Sequence, residues 1–303
     1  MRRMKRLIQI RKADGDKTRR DRGNQVNNFL VVSNSEKDAG NTVARAISEH
    51  LEKMRCKCEF VSVIPGHVTR DKLDKYINDG AQCVLVLGGD GTLIQVAGAL
   101  CGIDIPLLGI NLGTLGYLAE VECDQIVPTL DRLIKDDYDI EERMMLNATS
   151  EGISRDALND IVISRLGEVR VVRYRIYVNG RCLSTYNADG IIISTPTGST
   201  GYNLSAGGPI VEPSANIILI TPICPHTLNT RPVLLSPEDE ICVEVCGNKY
   251  SSQEIGVSCD GAKAVSLSSE GRVEIRRAEG VTKIIKMSRE GFLDVLGRKL
   301  RDV

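Results

Sequence analysis

The chain has 303 residues, with 39 Lys or Arg against 40 Asp or Glu and a formal net charge of -1. That length allows one large or two ordinary domains, each with its own core, and the balanced charge gives no reason to expect nucleic acid or an acidic membrane as the main partner. Aromatic residues make up 4% and tryptophan is absent, so the cores must be aliphatic, and no apolar run approaches the roughly 20 residues of a membrane span.

Residues 1 to 22 contain ten Lys or Arg and precede the first apolar run, Phe29-Leu30-Val31-Val32. They lack the apolar stretch of a secretory signal, and Asp14, Asp16 and Asp21 argue against a mitochondrial presequence. A basic, disordered extension over 1–26 is expected. The ten cysteines are scattered, several inside apolar runs (Cys83, Cys101, Cys224, Cys242), and no second pair joins Cys56 and Cys58 to make a zinc site. Buried, reduced thiols in a cytoplasmic protein are the expectation.

Asp38 to Met54 places Ala39, Val43, Ala46, Ile47, Leu51 and Met54 at helical spacing. A strand over 60–63 and a helix over 69–78 follow. Cys83 to Leu87 is an unbroken apolar run, as suits a strand buried on both faces, and it enters Gly88-Gly89-Asp90-Gly91-Thr92. Glycines where a strand hands over to a helix let the backbone approach a ligand, and the free N–H groups of the next helix suit phosphate. There is no Gly-Lys-[Ser/Thr] and no third glycine, so the turn is neither a Walker loop nor the dinucleotide fingerprint. Asp90 is unusual there, because a carboxylate roughly 4 Å from a phosphate is repelled by about 4 kcal/mol at an effective dielectric near 20. A magnesium ion or a hydroxyl proton would justify it; otherwise Asp90 merely caps a helix.

A helix over 92–101 and a strand over 106–110 continue the alternation, so 27–140 reads as a doubly wound, Rossmann-like parallel sheet. Ligands bind beyond the carboxyl ends of such strands. Leu108 to Leu118 brings three more glycines to that rim, with Tyr117 placed to stack on a base or to fill a core. A last helix is expected over 124–136, with Pro128 near its first turn. From about 141 the pattern becomes alternating or β-branched (157–165, 169–178, 191–195, 217–221, 241–245, 273–277), so 141–284 reads as a β-rich domain. The tail, 285–303, is amphipathic and expected to pack back on the first half.

Asp189 to Ile210 is the densest polar and glycine-rich stretch, with five hydroxyls between Ser194 and Thr200. Such groups suit a ligand rich in donors and acceptors, such as a ribose or an amide. Asn159-Asp160, ahead of Ile161-Val162-Ile163, offers an amide beside a carboxylate, fit for the two hydroxyls of a ribose, though an isolated dipeptide of this kind is more often a turn.

Gly88 to Thr92, Leu108 to Leu118, Leu158-Asn159-Asp160, Asp189 to Pro209 and Thr221-Pro222-Ile223-Cys224-Pro225-His226 together resemble the NAD kinase family, in that family's order, from about Asn28 onward. The Asp189 to Pro209 stretch is the specific part, since Gly-Gly-Asp-Gly is shared with lipid kinases and phosphofructokinases. The resemblance implies transfer of the terminal phosphate of ATP to the 2′-hydroxyl of the adenosine ribose of NAD, in a site between an α/β and a β-rich domain. By position it implies that Asp90 accepts the proton or meets the metal, and that Gly88, Gly89, Gly91 and Thr92 shape the phosphate side. Asn159, Asp160, Asp189, Thr197, Thr200, Gly201, Tyr202 and Tyr117 would bind NAD. It also implies Mg2+ held mainly by the ATP phosphates and a homodimer or homotetramer. Gly201 stands where many relatives have alanine. Asn187 does not decide between NAD and NADH, and the donor stays open between ATP, another nucleotide and polyphosphate. A lipid kinase would leave Asp189 to Pro209 unexplained, and a non-catalytic dinucleotide sensor would not need Asp90.

Overall fold

A computed structural model describes residues 26–301 apart from 114, 115, 168–170, 228, 229, 247–253, 263, 264, 269, 289 and 300. Nearly all of the basic extension lies outside the described residues. Val26, placed in it by sequence, is buried in the first core.

The first half alternates strand and helix: β1 (Asn28–Asn34), α1 (Thr42–Lys53), β2 (Lys57–Val63), α2 (Arg70–Asn78), β3 (Cys83–Gly88), α3 (Asp90–Ala99), β4 (Pro106–Asn111), β5 (Val121–Glu122) and α4 (Ile126–Ile134). β1 pairs in parallel with β2 and β3, and β4 with β3 and β5, so the order β2-β1-β3-β4 is that of a parallel, doubly wound sheet. Every residue of β3 and β4 is buried, as a sheet with helices on both faces requires. The inward face of α1 is Ala44, Ile47, Ser48 and Leu51, not the Ala39 and Ala46 expected from spacing, which are exposed. The buried Asp38 carboxylate sets this register by accepting the N–H groups of Val43 (2.9 Å) and Ala44 (3.0 Å), which starts the helix late.

The second half is β-rich: β6 (Asp139–Ser150), β7 (Ile153–Ala157), β8 (Asp160–Leu166), β9 (Val172–Val178), β10 (Arg181–Ala188), β11 (Gly190–Ser194), the short α5 (Tyr202–Ser205), β12 (Ile218–Ile223), β13 (Val233–Leu235), β14 (Ile241–Cys246), β15 (Glu254–Cys259), β16 (Val265–Leu267), β17 (Arg272–Lys286) and then α6 (Phe292–Lys299). One antiparallel sheet runs β13-β12-β11-β8-β15-β16. Its alternate residues Ile161, Ile163, Ile191 and Ile193 bury against Tyr174, Ile176, Val243 and Ile275 of a second layer, a period-2 sandwich core.

That second layer continues into the first half. β17 pairs antiparallel with β14 and β6, then in parallel with β4 through Lys283↔Pro106 and Ile284↔Leu107. It is far longer than the 273–277 segment expected, and its register against β6 shifts between Arg277 and Val281. Gly280 lies in the shift, where a Cβ would meet the Gly102 backbone N at 2.4 Å, so only glycine lets the chains approach there. The fold is therefore an α/β domain and a β-rich domain sharing one sheet. All ten cysteines are free, but Cys123, Cys182 and Cys224 are exposed rather than buried. Among the described residues no helix is long and apolar enough to cross a membrane.

Candidate active site

β3 delivers the glycine turn to the carboxyl edge of the parallel sheet, and α3 starts at Asp90 with Gly89 extended before it. A Cβ on Gly88 would lie 2.5 Å from the Thr92 hydroxyl, so the turn closes on Thr92 only because Gly88 has no side chain. The buried Asn34 of β1 donates from Nδ2 to Thr92 Oγ1 at 2.9 Å, while its Oδ1 accepts the N–H groups of Glu36 (3.0 Å) and Lys37 (3.3 Å). The β1–α1 turn is thus fastened to the first turn of α3. The second glycine loop is fastened there too: Leu112 N–H donates to Gly88 O (2.8 Å), and Asn111 folds over its own turn by accepting from Gly113 N–H (3.0 Å).

The Asp90 carboxylate is aimed at that second loop. Its Oδ2 accepts from Tyr117 N–H (2.6 Å), and its Oδ1 from Leu118 N–H (3.0 Å) and Ala119 N–H (2.9 Å). A Cβ on Gly116 would come within 2.0 Å of Asp90 Oδ1, so glycine is needed at 116 for the carboxylate to reach the row of N–H groups. A carboxylate has about four acceptor positions. The three donors fix its direction and leave one on Oδ2. Just beyond, Glu120 takes the N–H groups of Met287 and Ser288 and pairs with Lys286. The loop is therefore held from both sides.

The expected single strand 157–165 breaks at Leu158-Asn159 for a specific reason. Asp260, in left-handed conformation (φ 51), accepts the N–H groups of Leu158 (2.6 Å), Asn159 (2.7 Å) and Asp160 (3.0 Å), so these donors leave the ladder. The buried Asp160 carboxyl lies beside it. Burial first, and then the Asp260 charge, push the Asp160 carboxyl up to about 7. Burial pushes Asp260 to about 6 against the pull of its three N–H donors. By local pattern Asp260-Gly261 is an ordinary Asp-Gly turn. The Asp-Gly pair was the available signal, but its use of residues a hundred positions away was not.

Ser194 and Thr195 continue β11 and bind the same backbone: Thr195 N–H donates to Asn159 O (2.9 Å) and Thr195 Oγ1 to Leu158 O (2.6 Å). A Cβ on Gly198 would sit 2.1 Å from Asn159 O, and one on Gly201 3.6 Å from Asn159 Nδ2 and 3.8 Å from Asp160 Oδ2. Asn159, Asp160, Thr197 and Gly201 are thus brought together. Two atoms in this cluster, Asn159 Oδ1 and Thr197 Oγ1, are buried without a hydrogen-bond partner among the described residues, which is costly unless a ligand supplies one. Thr200 is half-buried with its hydroxyl donating to Thr197 O (3.5 Å), and Tyr202 is exposed. Asn203, which sequence reasoning did not single out, is fully buried. It donates to Ser199 O (3.0 Å) and Pro209 O (3.1 Å) and accepts from Thr221 Oγ1 (2.6 Å), holding the whole loop.

Asp189 stands apart. β11 and β8 are antiparallel with Ser194↔Asp160 at one end and Gly190↔Ser164 at the other, so Asp189 lies at the opposite end of the strand from Asp160. There Arg165 grips it, Nε to Oδ1 at 3.2 Å and a terminal nitrogen to Oδ2 at 3.0 Å. His226 joins through its backbone N–H to Asn187 O (2.8 Å) while its ring is exposed.

The glycine turn and the Asn159 cluster adjoin through one core. Leu158 is buried in the same cluster as Leu93 and Val96 of α3 and Leu118 of the second loop. Among the described residues no three His, Cys, Asp or Glu side chains gather to hold a metal ion, and the Asp90 oxygens already serve three N–H donors.

The pattern of the ATP-NAD kinase N-terminal domain matches residues 10–138, and that of the ATP-NAD kinase C-terminal domain residues 158–287. The NAD kinase of Lachnospira eligens is 41% identical over 290 residues, covering 90% of this chain and 99% of that protein. That of Lachnoclostridium phytofermentans is 40% identical over 285 residues, covering 90% and 99%. Among solved structures, yeast NADH kinase complexed with NADH superposes with a TM-score of 0.78 at 22% identity, covering 92% of this chain and 88% of that one. An NAD kinase from Archaeoglobus fulgidus in complex with ATP gives 0.73 at 24%, covering 91% and 99%. The two structures share the fold. With both halves matched and 41% identity over nearly the whole length of a relative, the chain belongs to the NAD kinase family.

Proposed function

We propose that the protein transfers the terminal phosphate of ATP to the 2′-hydroxyl of the adenosine ribose of NAD, giving NADP. The observation that carries this reading is the pair of buried, unpartnered atoms Asn159 Oδ1 and Thr197 Oγ1 beside the Asp160 carboxyl, joined by one core to the glycine turn. An amide, a hydroxyl and a carboxyl converging in a buried place match the donors and acceptors of a ribose. In this reading Asn159, Asp160 and Thr197 hold that ribose, Thr200, Gly201 and Tyr202 line the rest of the dinucleotide, and Tyr117 lies against its adenine. Gly88, Gly89, Gly91 and Thr92 form the phosphate side. Asp90, its direction fixed by three N–H donors, accepts the hydroxyl proton at the remaining position of Oδ2. Phosphoryl transfer asks mainly for positioning and charge neutralisation, and a ribose hydroxyl is a weak nucleophile that gains from an oriented carboxylate.

Magnesium belongs to this reading as part of the substrate, carried on the ATP phosphates, where it supplies charge neutralisation. Asp189, at the opposite end of β11 from Asp160, meets the far end of the dinucleotide in this reading, and a homodimer or homotetramer belongs to the same reading. A cytoplasmic location belongs to the same reading. The test is a coupled assay of the purified chain with NAD, ATP and magnesium, read by a dehydrogenase that accepts only NADP. Wild type should give a signal, and Asp90→Asn should lose at least about a hundredfold in turnover. Absence of NADP with wild type, or a near wild-type rate in Asp90→Asn, would contradict it.

A further inference from the structure

Lys37 has no role in any motif read from the sequence, yet its ammonium lies over both glycine loops. A Cβ placed on Gly89 would be 2.9 Å from Lys37 Nζ, and one on Gly113 would be 3.4 Å from it. The side chain is exposed, but its backbone is fixed: Lys37 N–H donates to Asn34 O (3.1 Å) and to Asn34 Oδ1 (3.3 Å), and Asn34 holds Thr92 of α3. Among the described residues the ammonium has no hydrogen-bond or ion-pair partner. Neither Asp38 nor Asp90 claims it. The Asp38 carboxylate is taken by Ser33 Oγ, Val43 N–H and Ala44 N–H, and that of Asp90 by residues 117–119.

We propose that Lys37 binds the phosphates of the donor nucleotide, as the cation that offsets the Asp90 charge in the glycine turn. An exposed, unpaired ammonium resting against two glycines, neither of which has a side chain to screen it, is open to an anion at the rim of the glycine turn. A lysine reaches phosphate as a compact point charge with three rotatable donors. The assignment rests on the reading of Gly88 to Thr92 as the phosphate side.

The experiment is calorimetric titration of the full chain with MgATP, together with steady-state kinetics in both substrates, for wild type, Lys37→Ala and Lys37→Arg. Lys37→Ala should weaken MgATP binding and raise the KM for ATP at least about tenfold, with the KM for NAD within about twofold and Lys37→Arg recovering most of the loss. Unchanged MgATP affinity in Lys37→Ala would overturn the assignment, as would an equal loss toward NAD. A wild type that binds MgATP through Lys37 but forms no NADP would sink the proposed activity and leave this assignment standing.

Discussion

Asp160 and Asp260 hold two carboxyls side by side under the Asn159 cluster, and both are displaced upward, to about 7 and about 6. The unfolded chain would release those protons near pH 4. Between there and neutrality the folded protein binds more protons than the unfolded one, so stability falls as pH rises. The pair's contribution is fully present below about pH 4 and lost as the pH climbs through 6 to 7. Denaturant titrations should show wild type losing about 2–4 kcal/mol between about pH 5 and pH 8, and Asp160→Asn losing less than half of that. Equal losses in the two proteins would show that this pair does not hold the protons.

The loop between β11 and β12 shows how one buried side chain orders a site. Asn203 satisfies Ser199 O, Pro209 O and the Thr221 hydroxyl at once, and Gly208 leaves room for it, since a Cβ there would lie 2.0 Å from Asn203 Oδ1. Asn203→Ala strands the Ser199 and Pro209 carbonyls and the buried Thr221 hydroxyl, so it should cost about 2–4 kcal/mol of stability and weaken NAD binding. A stability within about 0.5 kcal/mol of wild type would contradict that role. Elements with continuous burial, such as β3, β4 and β11, were legible in the sequence because all their residues except Asn111 are apolar or small. β10, β13 and β16 were not, being short or largely exposed strands whose residues carry no periodicity. The same holds for the site. Gly88 to Thr92 stands out because its turn is built from consecutive residues, whereas the geometry of Asn159-Asp160 is set by Asp260 a hundred positions away. Asn34 and Asp260 act through partners distant in sequence, Thr92 for the first and Leu158 to Asp160 for the second, and no local pattern marks them.

The long strand β17 makes the two domains parts of one sheet, pairing β14 and β6 of the β-rich half and β4 of the α/β half along a single run of backbone. Glu120 adds a second tie by binding Met287 and Ser288 N–H next to the loop that orients Asp90. Through this frame the glycine turn and the Asn159 cluster are set on either side of the core around Leu93, Leu118 and Leu158. In the proposed reaction the donor nucleotide sits around Asp90 and the acceptor dinucleotide around Asp160. Calorimetric titration of Asp160→Asn with NAD and with MgATP tests that division most directly. The account predicts NAD affinity reduced at least about tenfold with MgATP affinity within about twofold of wild type. Unchanged NAD affinity, or an equal loss toward both ligands, would contradict it.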